Sequence, residues 1–407
     1  MNKQLHLTTH LNNRHYFLDW LRVIAFAVLI FYHIGMLYSE NWGFHFKSTY
    51  ISQYVEYFML MFAPWRMLLI WFISGVALRF MLDKVSGVKS NFFFILNRSI
   101  FILLPLLVGL WLIVPFQLYA EMSQQSVIDI SYWQFYFAFL DINNEMFASY
   151  QSGVWPHVDV NHLWYLRSLW QFMLIIFLFS LFVKLPIFTP LLKLVKISLP
   201  LLASLLVIAM LLTNNYLKGD AIRETNGFIF LLIGYLLAKY AYFWASLKHY
   251  FCLLCVSFSL LCIYIVMAYQ NVFDLPSYVF TTLYNIQRVL GVLTMLALAQ
   301  HFLNFKTSYL KTLNSWVFPF YLLHQSVLII LCFVLQPLRL GYFIEPFLVV
   351  IGTWCVCAVI TLVVTRIDIL GPFIGVKAQN SYSKPFKLLG YTVSLVLVCP
   401  LALKLVF

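Results

Sequence analysis

Residues 14–39 read RHYFLDWLRVIAFAVLIFYHIGMLYS, and the apolar run 17–38 within them is long enough to cross a bilayer as one helix. This run carries Arg22 and His33, eleven residues apart. At about 100° per residue, eleven residues make roughly three turns, so both side chains fall on one stripe, about 16 Å apart along the axis. An ionisable residue inside a span is costly to bury and is therefore a candidate for function. The alternatives are a snorkelling arginine and a histidine that forms a hydrogen bond between helices.

The composition of the whole chain is that of a membrane protein. Of its 407 residues, 63% are hydrophobic and only 10% are charged, far below the charged share of soluble domains. The apolar segments are long and continuous, which favours helices over the alternating strands of an outer-membrane barrel. The net charge of +12 lies mainly in short loops, so nucleic acid is not an expected partner. The sequence therefore predicts an all-α, polytopic transmembrane helical bundle, with residues 1–407 forming a single membrane-embedded domain.

Ten spans are expected along the chain. They cover residues 17–38, 58–80, 92–118, 163–183, 198–213, 227–245, 251–269, 283–302, 316–335 and 347–365. The C-terminal segment 388–407 is apolar enough to form an eleventh span. Lysines concentrate in alternate loops, which predicts a cytoplasmic N-terminus. The long outer connection 119–162 is either a surface cap or part of an acceptor-binding surface.

Basic side chains outnumber acidic ones inside these spans. Five ionisable residues beyond the first span stand out: Arg66, Arg98, Arg167, Arg288 and His324. Carboxylates near the membrane midplane, which proton pumps use, are nearly absent, so the pattern favours a site for an anionic ligand. Arg98 could instead be a cytoplasmic anchor, and His324 a hydrogen-bond donor between helices. No zinc-binding, P-loop or GxSxG pattern occurs, so neither a metal site nor serine chemistry is expected.

Five stretches resemble, in the right order, patterns of the acyltransferase 3 family of membrane proteins. They are residues 14–39, WRMLLIWFISG (65–75), LNRSIFILLPLLVGLWLIVPFQLY (96–119), NHLWYLRSLW (161–170) and NSWVFPFYLLHQSVLII (314–330). The first span of the family carries an arginine, ten residues and a histidine, which Arg22 and His33 match. Within the family, the chain looks most like the branch of glucans biosynthesis protein C. It differs at Phe101, where many members have a second arginine three residues after Arg98, and a fused esterase-like domain is not expected.

The resemblance implies an integral-membrane O-acyltransferase in a bacterial inner (cytoplasmic) membrane. Such an enzyme moves an acyl group, for example acetyl or succinyl, from cytoplasmic acyl-CoA to a hydroxyl of an envelope glycan, glycolipid or related acceptor. The expected partners are therefore the lipid bilayer, acyl-CoA as the donor co-substrate and that acceptor, without a tightly bound cofactor. The oligomeric state is left open.

The resemblance also implies roles for individual residues. Arg22 and Arg98 are expected to bind the phosphate-bearing end of acyl-CoA. His33 is expected to take the proton of the acceptor hydroxyl or to carry the acyl group for a short time. Arg66 is expected to stabilise the developing oxyanion. Two further side chains are expected to contact the substrate: Trp164 and His324.

Two other functions remain open at this point. A lipid or glycan flippase would also hold an anionic head group with arginines, although the chain shows neither internal repeats nor midplane carboxylates. A structural partner in an envelope-building complex would tolerate the loss of His33. Consumption of acyl-CoA with release of free thiol separates the enzyme from both.

Overall fold

The computed structural model describes residues 16–141, 143–150, 160–183, 197–366 and 370–376. These residues form a bundle of α-helices and contain no β-strand. Within the described residues there are fourteen α-helices, which we number α1 (Tyr16–Tyr38), α2 (Gln53–Met59), α3 (Arg66–Leu82), α4 (Val88–Val108), α5 (Pro115–Gln124), α6 (Tyr132–Leu140), α7 (Trp164–Val183), α8 (Leu199–Tyr216), α9 (Asp220–Leu237), α10 (Ala241–His249), α11 (Phe251–Tyr269), α12 (Ser277–Phe302), α13 (Leu310–Leu335) and α14 (Gly341–Arg366).

The predicted polytopic helical bundle is confirmed. Among the described residues, eight helical segments are long and apolar enough to cross a membrane, and a ninth counts if α9 and α10 form one bent span. Helix α3 has 17 residues, at the short end of the usual span length of about 17–25 residues. When α3 and the bent pair are included, each of the ten expected spans corresponds to a helix. The expected eleventh span, 388–407, lies outside the described residues.

Two of the expected spans differ from the structure in their bounds. The second was expected to begin at residue 58, but α2 ends at Met59, turns follow, and α3 begins only at Arg66. Pro64 disfavours helical backbone at the residue before it, which explains the interruption. The sixth was expected to be continuous over 227–245, but the chain bends by 105° between α9 and α10.

Helix α1 runs without interruption and packs against α13, α3 and α12. Its buried positions Phe17, Leu21, Ala25 and Leu29 recur every four residues and form part of the main core. Because α1 is continuous, the axial rise between its two predicted functional side chains is kept at about 16 Å.

Helices α3 and α9 approach each other through two glycines. A Cβ atom at Gly75 would lie 1.9 Å from the backbone oxygen of Leu231, and one at Gly234 would lie 2.1 Å from that of Phe72. Small residues of this kind let helices pack backbone to backbone inside a membrane. The contact fixes the position of α3 and, with it, of Arg66 at its N-terminal end.

A π-helical segment, Gly109–Ile113, joins α4 to α5. Pro115 follows it and has no N–H to donate, and the carbonyl of Trp111 instead accepts a hydrogen bond of 3.1 Å from the Tyr136 hydroxyl. The carbonyl of Ile113 accepts another, of 2.6 Å, from Ser326 in α13. Segments of π-helix are frequent at functional sites, and this one places the start of α5 against the middle of α13.

Candidate active site

The imidazole rings of His33 in α1 and His324 in α13 lie side by side. His33 Nδ1 is 3.0 Å from His324 Nε2, and the ring centroids are 5.0 Å apart. His324 is fully buried, whereas His33 is partly exposed. The structure therefore joins two residues that the sequence assigned to separate roles.

The backbone of α13 determines which nitrogen of His324 carries its proton. Nδ1 lies 3.1 Å from the carbonyl oxygen of Phe320 and 2.7 Å from that of Tyr321. A carbonyl oxygen can only accept, so Nδ1 is the donor and the neutral ring presents Nε2 as an acceptor. His33 Nδ1 must then donate to His324, which leaves the lone pair of His33 on Nε2. Within the described residues, His33 Nε2 forms no hydrogen bond, so it is available as a base.

A third histidine stands directly behind this pair. The ring of His162 packs edge-on against that of His324, with 5.5 Å between centroids. Its Nε2 donates to the carbonyl oxygen of Leu322 at 3.1 Å, and its Nδ1 accepts from Gln117 Nε2 at 3.2 Å. Both nitrogens of His162 are therefore engaged, which favours a structural role.

The Gln117 side chain forms hydrogen bonds with three other side chains, of which that of His162 is one. Its amide nitrogen also donates to Ser326 Oγ at 2.7 Å, and its carbonyl oxygen accepts from Gln325 Nε2 at 3.0 Å. These side chains are all buried. A buried hydrogen-bond network of this kind holds its members in one arrangement, and here it holds α13, the helix that carries His324, against α5.

Arg22 and Arg98 meet at a cavity of about 290 Å³ between α1, α3, α4, α7 and α13. Its lining is mainly apolar and includes Phe26, Ser74, Tyr165 and Tyr321. Among the described residues, neither arginine has a carboxylate within ion-pair distance, although Asp19 on α1 attracts Arg22, and Arg98 Nε has no hydrogen-bond partner. The cavity is thus cationic at one end and apolar along its walls.

Three aromatic rings separate the cavity from the histidines. The centroid of Phe26 lies 6.3 Å from that of Tyr165 and 5.7 Å from that of Tyr321, and the two tyrosine rings are 5.7 Å apart. All three contacts are edge-to-face. Tyr321 lies three residues before His324 in α13, and their ring centroids are 6.1 Å apart. Tyr321 therefore contacts both the lining of the cavity and the histidine pair.

Arg66, at the start of α3, contacts Tyr32, the residue before His33. Its guanidinium carbon is 3.2 Å from the centroid of the Tyr32 ring, and Nη1 donates to the carbonyl of Ala63. The rings of Tyr32 and His33 are 5.5 Å apart. Tyr32 thus contacts both Arg66 and His33, and the expected role of Arg66 at the oxyanion stays a prediction.

Trp164 lies apart from these groups. Its ring packs 6.0 Å from that of Trp71 and lies under the guanidinium of Arg223, at 4.1 Å. Within the described residues, its ring contacts include none of the three histidines. Its expected role in substrate binding stays a prediction.

Sequence reasoning did not identify the residues that connect the cavity to the base. Tyr321 carried a usable signal, because it shares a helix face with His324 at a spacing of three residues. Gln117 and Tyr165 carried none, since their positions depend on the π-helical segment and on the packing of α7.

The fold and the site together define a polytopic membrane protein with a hydrogen-bonded imidazole pair beside a cationic cavity. A model of the acyltransferase 3 family, described as an acyltransferase domain, matches residues 15–365. The chain belongs to this family and is a membrane-embedded acyltransferase that transfers groups other than aminoacyl groups. No curated protein and no solved structure matches the chain. Its resemblance to the glucans biosynthesis protein C branch stays a prediction.

Proposed function

We propose that the chain is an O-acyltransferase that uses His33 as the general base and acyl-CoA as the donor. The observation that carries this proposal is the 3.0 Å hydrogen bond between His33 Nδ1 and His324 Nε2. It holds the His33 ring in place and in the tautomer that leaves Nε2 unprotonated. A neutral acceptor on Nδ1 also stabilises the imidazolium that forms when His33 takes a proton, as the orienting carboxylate does in serine hydrolases.

The positive charge and the apolar walls of the cavity favour a long acyl donor that carries phosphates at one end. Arginine suits phosphate because its planar guanidinium offers several N–H donors in a fixed geometry. Among the described residues, no carboxylate lies within ion-pair distance of Arg22 or Arg98, although Asp19 attracts Arg22, so a phosphate would offset the cost of holding these two charges inside the protein. From Arg22 to His33 the rise along α1 is about 16 Å. An extended pantetheine arm spans such a distance through the apolar part of the cavity and past the aromatic rings.

The reaction then needs two proton transfers, one to His33 and one from it. His33 Nε2 takes the proton of the acceptor hydroxyl. At the same time the hydroxyl oxygen attacks the carbonyl carbon of the thioester and forms a C–O bond. The tetrahedral intermediate collapses, the C–S bond breaks, and the thiolate takes the proton back from the His33 imidazolium. The products are an ester and free CoA thiol. Positioned acid–base groups of this kind contribute about 10²- to 10⁴-fold in rate.

The acceptor is proposed to be a hydroxyl of an envelope glycan, glycolipid or related compound, and the location a bacterial inner membrane. Both rest on the family and on the place of His33, near the end of α1 that the loop charges put outside. In this scheme Arg66 stabilises the oxyanion of the intermediate. That role stays a prediction.

Mass spectrometry of extracted envelope glycans and lipids tests the proposal. Three strains are compared: a deletion, the deletion carrying the wild-type gene, and the deletion carrying His33→Ala at the same membrane level by blot. We expect an acyl mass that is lost on deletion, returns with the wild type and stays lost with His33→Ala. An acyl mass fully restored by His33→Ala would contradict the role of His33. If no acyl mass depends on the gene, the flippase function gains support instead.

A further inference from the structure

A second pair of arginines, separate from Arg22 and Arg98, lies on α3 and α12. Arg66 and Arg288 are both only partly exposed. Helix α12 packs against the N-terminal end of α3, because a Cβ at Gly291 would lie 2.3 Å from the Trp65 ring and Gln287 Nε2 donates to the carbonyl of Leu60 at 3.0 Å. Arg66, Arg288 and Asn285 lie at this contact between the two helices and form one cluster. Among the described residues, no carboxylate pairs with either arginine.

The hydrogen bonding of this cluster is incomplete on the donor side. Arg288 Nη1 donates to Asn285 Oδ1 at 3.2 Å, and Arg66 Nη1 donates to the carbonyl of Ala63. Arg66 Nε and Asn285 Nδ2 are buried and have no partner. Asn285 itself is 1% exposed. An unmet buried donor is costly, and here two occur in the same cluster.

The cluster has more hydrogen-bond donors than acceptors, and within the described residues it contains no carboxylate to balance its positive charge. Two unpaired guanidiniums and an amide N–H₂ suit an ionised group with several oxygens. Arg66 is also the first residue of α3, and the positive end of a helix dipole favours an anion at that point. An uncompensated cation pair would be expensive to keep inside the bundle without such a ligand.

We infer that Arg66, Arg288 and Asn285 form a second anion site, which binds a carboxylate or phosphate of the substrate beside His33. It is distinct from the site of Arg22 and Arg98, which lies nearer the opposite end of α1. The inference rests on the proposed function for placing the reacting groups at His33. The anion can belong to the acceptor or to the far end of a dicarboxylic acyl group.

Binding and turnover of the purified full chain in lipid nanodiscs test this site. Binding is followed as the rise in melting temperature on titration with glycerol 3-phosphate or succinate at constant ionic strength, with glycerol as the neutral probe. Turnover is followed as thiol release from acetyl-CoA and from succinyl-CoA. Two variants address the site: Arg288→Gln removes a charge, and Asn285→Asp places a competing carboxylate there. Arg79→Gln, at the other end of α3, is the control, because Asp83 keeps its ion pair with Lys239.

We expect the wild type and Arg79→Gln to be stabilised by both anions but not by glycerol. Arg288→Gln and Asn285→Asp should raise the half-saturating anion concentration about tenfold or more, as the loss of a charge-assisted hydrogen bond predicts. If Arg288→Gln also lowers thiol release from succinyl-CoA relative to acetyl-CoA by about the same factor, the anion is that of the acyl group. If that ratio is unchanged, the anion belongs to the acceptor.

Equal anion stabilisation of the wild type and Arg288→Gln, with an unchanged acyl-CoA ratio, would overturn the second site. A role of Arg66 limited to the oxyanion would show as slower turnover by Arg66→Gln with unchanged anion binding, and would also count against the site. Absence of thiol release by the wild type would contradict the proposed function but not anion binding. The two failures are therefore distinguishable.

Discussion

His33 and His324 are 291 residues apart in the chain, yet His33 Nδ1 donates to His324 Nε2 across 3.0 Å. The carbonyls of Phe320 and Tyr321 set the direction of this hydrogen bond, because they can only accept from His324 Nδ1. A helix backbone thereby determines the tautomer of a side chain on another helix. In the proposed mechanism His324 is a positioning residue for His33, and its expected contact with the substrate stays a prediction.

Replacement of His324 tests this positioning role. His324→Leu removes the acceptor and should lower kcat for acyl transfer about 10²-fold, while KM for acyl-CoA stays nearly constant. His324→Gln keeps an amide oxygen that can accept from His33 Nδ1 and should retain more of the activity. The kinetic constants come from thiol release at varied donor concentration. Equal activity of His324→Leu and the wild type would contradict the role.

Arg22 and Arg98 should act on the donor rather than on the chemical step. Arg22→Gln and Arg98→Gln should each raise KM for acyl-CoA about 10- to 100-fold, the range for a charge-assisted hydrogen bond. The matched measurement uses an acyl-N-acetylcysteamine donor, which has a thioester but no phosphate. With that donor the variants and the wild type should have the same KM. An equal loss with both donors would mean that the arginines serve the fold.

Filling the cavity should block the donor without touching the histidines. Ala77 lines the cavity and is exposed to it, so Ala77→Trp places an indole in the proposed path of the pantetheine arm. We expect thiol release to fall by at least about tenfold, because a volume change of this size cannot be absorbed by a packed wall. Leu260→Trp, at a position 63% exposed on α11, is the control and should be neutral. Full activity of Ala77→Trp would exclude this cavity as the donor path.

The features that could be predicted from the sequence are those that depend on periodicity within one segment, namely the helices and the faces of each helix. Arg22 and His33 share a stripe because they lie on one continuous helix, and ten apolar runs correspond to helices because each run is long enough by itself. The start of the second span was wrong, since residues 60–65 are as apolar as a helix would be but form turns around Pro64. Composition alone does not distinguish an apolar helix from an apolar segment of turns.

The contacts between segments that are distant in the chain could not be predicted from the sequence. That His324 meets His33 depends on the packing of α13 against α1, and no spacing along the chain encodes it. Gln117 reaches the site only because the π-helical segment shifts the helix before it. Arg288 was recognised as a buried cation, but its place beside Arg66 required the structure.

The glycine contact between α3 and α9 should be sensitive to a single methyl group. Gly75→Ala puts a Cβ 1.9 Å from the Leu231 backbone oxygen, so the helices must separate. Overpacking of this kind costs about 1–3 kcal/mol, which should lower the melting temperature of the protein in detergent. Gly43→Ala is the control, because no heavy atom lies within 4 Å of its added Cβ. Equal melting temperatures for the two variants would contradict the close approach.

Glu56, in the short helix α2, should make the stability of the protein depend on acid pH. Its burial raises the pKa of this carboxyl, but hydrogen bonds from Asn41 and Tyr269 outweigh burial and hold the pKa below 4.5, its ordinary value. A depressed pKa stabilises the fold above the ordinary value, and that stabilisation is lost as pH falls through the lower one.

Melting temperatures of the wild type and Glu56→Gln check this dependence. The wild type should melt higher at neutral pH, and the difference should shrink only below about pH 4.5. Glu40→Gln, at an exposed position, should show no such difference. A difference for Glu56→Gln that is the same at all pH values would mean that the charge of Glu56 contributes nothing.

The central claim is that His33 removes the proton that starts acyl transfer. The most direct test measures release of free thiol from acetyl-CoA and succinyl-CoA by inverted membrane vesicles, which keep the native acceptors. Vesicles with wild-type protein, His33→Gln or the control Arg79→Gln are matched for protein level by blot. We expect His33→Gln to release thiol at least about 10²-fold more slowly, with Arg79→Gln unchanged. Thiol release by His33→Gln at the wild-type rate would contradict the account.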